Sequence, residues 1–207
     1  MSFDDAPATS AGLLRECRAV FDWWERFASD WRGAALMFTW ALAEATVWPI
    51  IPDFLLVPMA VGNRRRFYVP LCAAITGSAL GGTAIFLFAL SAPSQASHFL
   101  QHLPLVNDSQ IAHAQEQLAA HGAAAFLTQP WSGVSFKVWG VLAGVQGLDA
   151  WSVIPAFIFA RAVRMTLFAT LARVVAGLFT GFIRDFSIFV LAIYLVLFFY
   201  GWWQVVG

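Results

Sequence analysis

The stretch AALMFTWALAEATVWPIIPDFLLVPMAVG, residues 34–62, decides how this chain is read. It is apolar nearly throughout, yet Pro49, Pro52 and Pro58 cut it, and two carboxylates, Glu44 and Asp53, lie inside it. At 1.5 Å per helical residue the uncut arm 34–48 reaches only ~22 Å and the arm after Pro52 ~15 Å, whereas a bilayer core takes ~30 Å to cross. Neither arm crosses alone. A helical hairpin that enters and leaves on one side accounts for the lengths and the prolines, because broken backbone survives at membrane depth where protein or water covers it. The rival reading is a single kinked transmembrane helix.

Composition extends the membrane reading to the whole chain. Of 207 residues, 60% are hydrophobic and 12% charged, and mean hydropathy is +0.70, against about 25% charged in a soluble domain. The formal net charge of zero gives no sign of a nucleic-acid partner. Cys17, in a polar amphipathic stretch, and Cys72, in an apolar one, are the only thiols, and no disulfide is expected between them. The first ten residues, MSFDDAPATS, are acidic and lack an apolar run; they are expected to be disordered and not a cleaved secretory signal.

Residues 11–33 place Leu13, Cys17, Val20, Trp24, Phe27 and Trp31 at three- and four-residue steps. The spacing predicts an amphipathic helix on the membrane surface, with tryptophans at headgroup depth; its rival is a helix that packs only on its own bundle. Residues 67–92 carry no charge and predict a full span. Along it Ala73, Gly77 and Gly81 recur every fourth residue beside Ala74, Ser78 and Gly82, a stripe for close helix packing. Residues 93–122 are polar and hold all four histidines. Asn107 and Gln110 predict the capped start of a helix over 108–121, and His98 and His102, at metal-binding spacing but without a third ligand, read as solvated surface.

The first hairpin's design returns in AAAFLTQPWSGVSFKVWGVLAG, residues 123–144: an apolar arm, a break at Pro130 to Gly133, Lys137 just past it, and a second apolar arm. Setting Gly144 on Gly62 brings Phe136 onto Phe54 and Ser135 onto Asp53, a weak internal repeat. A second span over 151–172 carries Arg161 and Arg164, and a third over 186–205 is apolar all round, which predicts a lipid-facing helix ending in Tyr200, Trp202 and Trp203 at an interface. Basic residues collect in the N-terminal helix and in the 63–66 loop, Arg173 and Arg184 flank the last loop, and 93–122 and 145–150 carry no Lys or Arg. By the positive-inside rule this puts the N-terminus in the cytoplasm and 93–122 outside.

The expected fold is therefore an all-α integral membrane protein of one membrane domain, 34–207. It has about three full transmembrane helices, two oppositely oriented re-entrant hairpins (34–62 and 123–146) and the amphipathic helix 11–33, in a multi-pass arrangement in the cytoplasmic membrane.

Five charges, Glu44, Asp53, Lys137, Arg161 and Arg164, fall inside these apolar stretches. Each unpaired charge at the bilayer centre costs ~3 kcal/mol, so all five would cost roughly 15 kcal/mol. They must pair, meet water or hold a ligand. Opposed broken hairpins are a way to build a transport site, and Arg161 and Arg164, three residues apart, share a helix face suited to phosphate oxygens. Three cations against two carboxylates leave +1 when both acids are ionised and +3 when both are protonated, so proton uptake would strengthen an anion site. Glu44 and Asp53 are expected to alternate between pairing with Arg161, Arg164 or Lys137 and releasing them to a phosphate headgroup; a permanent buried ion-pair network is the alternative.

At these residues the chain resembles the DedA family, also called the VTT or SNARE-associated membrane domain family, and within it the YqaA-like branch. The resemblance rests on Glu44 leading into PIIPDFLLVPMAVG, and on FLTQPWSGVSFKVWGVLAG followed by FARAVRM, where Lys137, Arg161 and Arg164 fall on the branch's basic positions. It implies a proton-linked transporter, flippase- or scramblase-like, of undecaprenyl phosphate or of phospholipids. Lys137, Arg161 and Arg164 would bind the headgroup, Glu44 and Asp53 would couple protons, and Pro49, Pro52, Pro130 and Gly133 would form the breaks. Membrane lipids, an anionic lipid phosphate and protons are the implied partners, with a homo-oligomer admitted; no cofactor, metal or nucleic acid is expected. The competing classes are a scaffold or assembly factor for the envelope and a lipid-modifying enzyme. For the latter the chain shows no Gly-x-Ser-x-Gly elbow, no His-Glu-x-x-His pair and no histidine in its apolar segments.

Overall fold

Asp30, Pro49, Pro52 and Gly133 set the boundaries of the elements in the computed structural model, which describes residues 6–62, 66–103 and 106–206. These residues are all helical or irregular, with no strand among them. Helix α1 (Ala6–Ser29) already begins at Ala6, so the expected disorder of residues 1–10 does not hold for the second half of that stretch; the first five residues lie outside the described ones. It also stops short of residue 33. The Asp30 carboxylate accepts from the Trp31 amide and caps a new helix, α2 (Trp31–Thr46). The buried stripe of α1 is Cys17, Phe21 and Ala28, rotated from the expected face, while Leu13 and Trp31 are exposed. That stripe packs on the chain's own bundle.

After the proline break come α3 (Asp53–Gly62) and α4 (Tyr68–Ser91). Both ends of the α2–α3 unit lie against α1: α2 starts beside it, and the Trp24 indole donates to the Pro58 carbonyl of α3 at 2.9 Å. A Cβ on Gly77 would lie 2.3 Å from the Phe38 oxygen, and one on Gly81 2.7 Å from that of Leu42. Only glycine admits α2 so closely, and the pairing of 38 with 77 and 42 with 81 makes α2 and α4 parallel. Arg64 and Arg65 of the basic loop lie outside the described residues. Cys72 is exposed on α4, not in a core, whereas Cys17 is buried; both thiols are free.

The polar segment forms α5 (Pro93–Gln101) and α6 (Asp108–His121), the latter with the expected boundaries. Asn107 Oδ1 accepts from the Gln110 amide at 2.9 Å, half of the expected box. All four histidines are exposed. The first arm of the second hairpin departs from expectation: it is two 3-10 turns, Gly122–Leu127 and Gln129–Trp131, and not an α-helix. Gly122 ends α6 with positive φ, and the six residues to Leu127 are too few for a stable α-helix before Pro130. The second arm, α7 (Phe136–Val145), is ten residues long, as is α3, and starts one residue past the repeat-equivalent position.

Helix α8 (Ala150–Leu178) runs past the expected end at 172, so Arg173 lies inside the helix and not in a flanking loop. Short α9 (Thr180–Asp185) and α10 (Ser187–Val206) complete the chain. Among the described residues, α4 and α8 are the two helices long and apolar enough to cross a membrane; the apolar stretch of α10, Ser187–Tyr200, is shorter. Helix α10 is apolar all round, as expected, but one of its faces packs on the protein. Tyr194, Phe198 and Trp202, four residues apart, cover Phe54, Trp40 and Trp48.

Two apolar clusters hold the bundle. One contains Phe86, Phe126, Phe136, Trp139 and Phe157; the other contains Met37, Leu56, Met59 and Met165. Polar residues sit between them. Glu44 stands between Ala41 and Ala45, Ser78 between Ala74 and Ile85, and Arg161 between Ala160 and Met165, each flank belonging to one cluster.

Candidate functional site

The site begins with a proline. Because Pro49 disfavours helical geometry at Trp48, the amides of Val47 and Trp48 both turn to the Ala43 carbonyl, at 2.8 and 2.7 Å. The Glu44 carbonyl thereby loses its ordinary donor, and the Trp48 carbonyl lies past the helix end. Lys137 fills this gap from α7: its Nζ donates to Trp48 O at 2.7 Å and to Glu44 O at 3.5 Å. A cation at the C-terminus of α2 also meets the negative end of the helix dipole. The two broken segments are thus joined directly.

The remaining charges pair. Arg161 Nη2 donates to Glu44 Oε2 and, at 3.1 Å, to Ser78 Oγ, and its guanidinium carbon lies 4.5 Å from the centre of the Phe136 ring. Arg164 Nη2 donates to Asp53 Oδ2 at 3.0 Å. Lys137 is 1% exposed, Glu44 and Arg161 2%, and Asp53 8%. Three cations and two carboxylates form two ion pairs, so the excess positive charge rests on Lys137, which is held by carbonyls alone among the described contacts. Two further groups, Arg161 Nε and Asp53 Oδ1, are buried without a partner in the protein.

Of the five charges all but Asp53 border a cavity of about 580 Å³, lined also by Pro49 and Gln129. Its wall on the second break is a tied loop. Gly133 takes φ +70°, open to glycine at little cost, so that Ser132 Oγ can donate to Gln129 O at 2.9 Å and accept from the Val134 amide at 3.2 Å. Val106, Asn107 and Gln110 reach the cavity from the start of α6. Below the charged layer the methionine-rich cluster closes the bundle toward α1.

Glu44, Lys137 and Arg161, expected as site residues, come together here, with Asp53 and Arg164 paired beside them. Pro49 and Gly133 line the cavity; Pro52 immediately precedes α3, and Pro130 lies within the 3-10 turn. Arg161 and Arg164 do not converge on one point; each engages its own carboxylate. The sequence reading missed Ser78, which looked like one more small residue in a packing stripe, and Phe136, which entered only as the repeat partner of Phe54. It also missed Gln129, whose only signal is a polar residue next to a break. His98 and His102 stack with ring centres 4.3 Å apart, with no third metal ligand among the described residues.

No family model, curated protein or solved structure matches this chain.

Proposed function

We propose that this chain is a membrane lipid transporter that binds a phosphate headgroup at the Lys137 cavity and moves it across the cytoplasmic membrane, with protons loosening the site. The observation that carries this reading is the excess cation: a buried ammonium without a carboxylate, on the wall of a cavity large enough for a headgroup. A purely structural layer of buried charge gains nothing from such an imbalance. Protonation of Glu44 or Asp53 would release Arg161 or Arg164 to the same anion, which links binding to pH.

The topology that fits this reading has α4, α8 and α10 as full spans and the two broken segments as re-entrant hairpins from opposite faces. Helix α1 would lie on the cytoplasmic surface with Trp23 and Trp31 in the headgroup region. Parallel packing supports it: α2 and α7 both run alongside α4 in its own direction, yet they belong to hairpins whose other arms lie on opposite sides of the break. The resemblance to the DedA family, carried by the same residues, points to undecaprenyl phosphate or a phospholipid. A scaffold reading would draw on the complete pairing of Glu44 and Asp53 with arginines.

The deciding experiment is headgroup accessibility in proteoliposomes with undecaprenyl phosphate or phosphatidylethanolamine, at two pH values, for wild type and Arg161→Ala. Arginine-dependent, pH-sensitive movement of either lipid is expected. Movement of neither by well-folded protein would sink the transporter and favour the scaffold.

A further inference from the structure

One buried group on the cavity wall asks for a partner of the opposite kind to an anion. Gln129 is 1% exposed and lines the cavity with Lys137 and Arg161. Its Nε2 donates to the Val134 carbonyl at 3.2 Å, which fixes the amide's orientation, because the flipped form would set two oxygens face to face. The Oε1 atom is thereby committed as an acceptor, and it finds no donor in the protein. Gln110, which lines the cavity from α6, likewise has a buried Oε1 without a donor. The lining residues therefore carry cations, which suit a phosphate, and amide oxygens, which need an N–H or O–H.

We propose that Gln129 is a specificity-determining residue that selects headgroups carrying a hydrogen-bond donor beside their phosphate. This rests on the transporter reading and narrows its substrate class. The donor is the ammonium N–H of an ethanolamine or the P–OH of a protonated phosphate monoester. A trimethylated choline headgroup has the same charge as the ethanolamine and a phosphate of the same kind, but offers no N–H. In its presence Gln129 Oε1 would stay desolvated and unpaired, and a site built to bond a donor rejects the analogue that lacks one more strongly than size alone would.

The test is a series run on the wild-type protein in liposomes. Chain-labelled phosphatidylethanolamine, its N-methyl and N,N-dimethyl forms, phosphatidylcholine and phosphatidic acid are each assayed for exchange between leaflets. The expected result is a step and not a slope: the three lipids that keep an N–H move at similar rates, and the fully methylated one moves about tenfold more slowly, the scale of one unsatisfied hydrogen bond. Phosphatidic acid reports the P–OH donor separately, its movement rising as pH falls through the second phosphate ionisation. Gln129→Met, close in length but unable to accept, should erase the step by slowing the donor lipids; Gln129→Glu should keep it. A gradual decline with each added methyl, or equal movement of all four amines, overturns this inference while leaving the transporter reading intact. Movement of undecaprenyl phosphate but of none of these five lipids overturns this inference alone, and movement of no lipid at all overturns both.

Discussion

The hydroxyl of Tyr194 on α10 donates to the carbonyl of Phe54 on α3, the one carbonyl in that helix whose usual donor, four residues on, is Pro58. Proline has no amide hydrogen, so the bond closes a gap that the sequence itself opened. Tyr194→Phe should therefore destabilise the fold by about 1–3 kcal/mol, the cost of an unsatisfied buried carbonyl. In a Pro58→Ala background, where residue 58 can donate within the helix, the same change should cost less than about 1 kcal/mol. Thermal unfolding of the four proteins in detergent measures the coupling, and equal losses in both backgrounds would refute it.

Lys137 should matter for transport more than for folding. Lys137→Met removes a buried ammonium along with the donor to Trp48 O, two effects of opposite sign, so stability should change by no more than about 2 kcal/mol. Lipid movement should fall at least tenfold because the excess positive charge is gone. A folded Lys137→Met protein of normal activity would take Lys137 out of the anion site.

The Glu44–Arg161 pair separates the scaffold from the transporter. Glu44→Ala strands a buried guanidinium and should cost about 3–5 kcal/mol, whereas the double change Glu44→Met with Arg161→Met removes both charges and should restore most of that stability. The restored protein should still fail to move lipid. Glu44→Gln should keep movement but flatten its pH dependence, which a two-pH assay reads directly.

At the chain's exposed edge, Arg18 donates to Asp185 at 2.9 Å and ties α1 to α9. That hydrogen bond, more than the charge itself, holds the Asp185 carboxyl below its ordinary value, and the same bond raises Arg18. A carboxylate with a lowered value stabilises the folded form above its unfolded pKa, about 3.9, and the gain fades as pH falls through the lower, folded value. Docking of α1, followed by tryptophan fluorescence, should loosen below about pH 4 in wild type, less so in Asp185→Asn, and the difference should shrink in high salt.

How much of this was legible depended on whether a residue's meaning is local. Proline breaks and the Asn107 cap act through the few residues around them, so α6 and both breaks stand at the expected positions; charges in apolar runs announce a need for partners but not which, and Arg161 and Arg164 each take a carboxylate of their own. Ser78 and Gln129 draw their meaning from neighbours 83 and 5 residues away, which no periodicity records. The 3-10 arm before Pro130 was hidden because an alanine-rich run reads as helix whatever its length permits. The division of α1 from α2 was expected at 33/34 and falls at Asp30, whose side chain turns onto the next amide.

The Glu44–Arg161 bond spans 117 residues, and this sets an order of events during synthesis. At roughly 5–20 residues per second, Glu44 is added some 6–23 s before its partner. Lys137 comes earlier than that partner but reaches only the Glu44 carbonyl, so the carboxylate waits for the guanidinium of α8. Closure of the charged layer then belongs to α8, which also packs on α3 and α4. A cysteine in place of Ala45, wholly buried in the finished bundle, should react with a thiol reagent in a nascent chain halted before Ala150 and be shielded once α8 is complete.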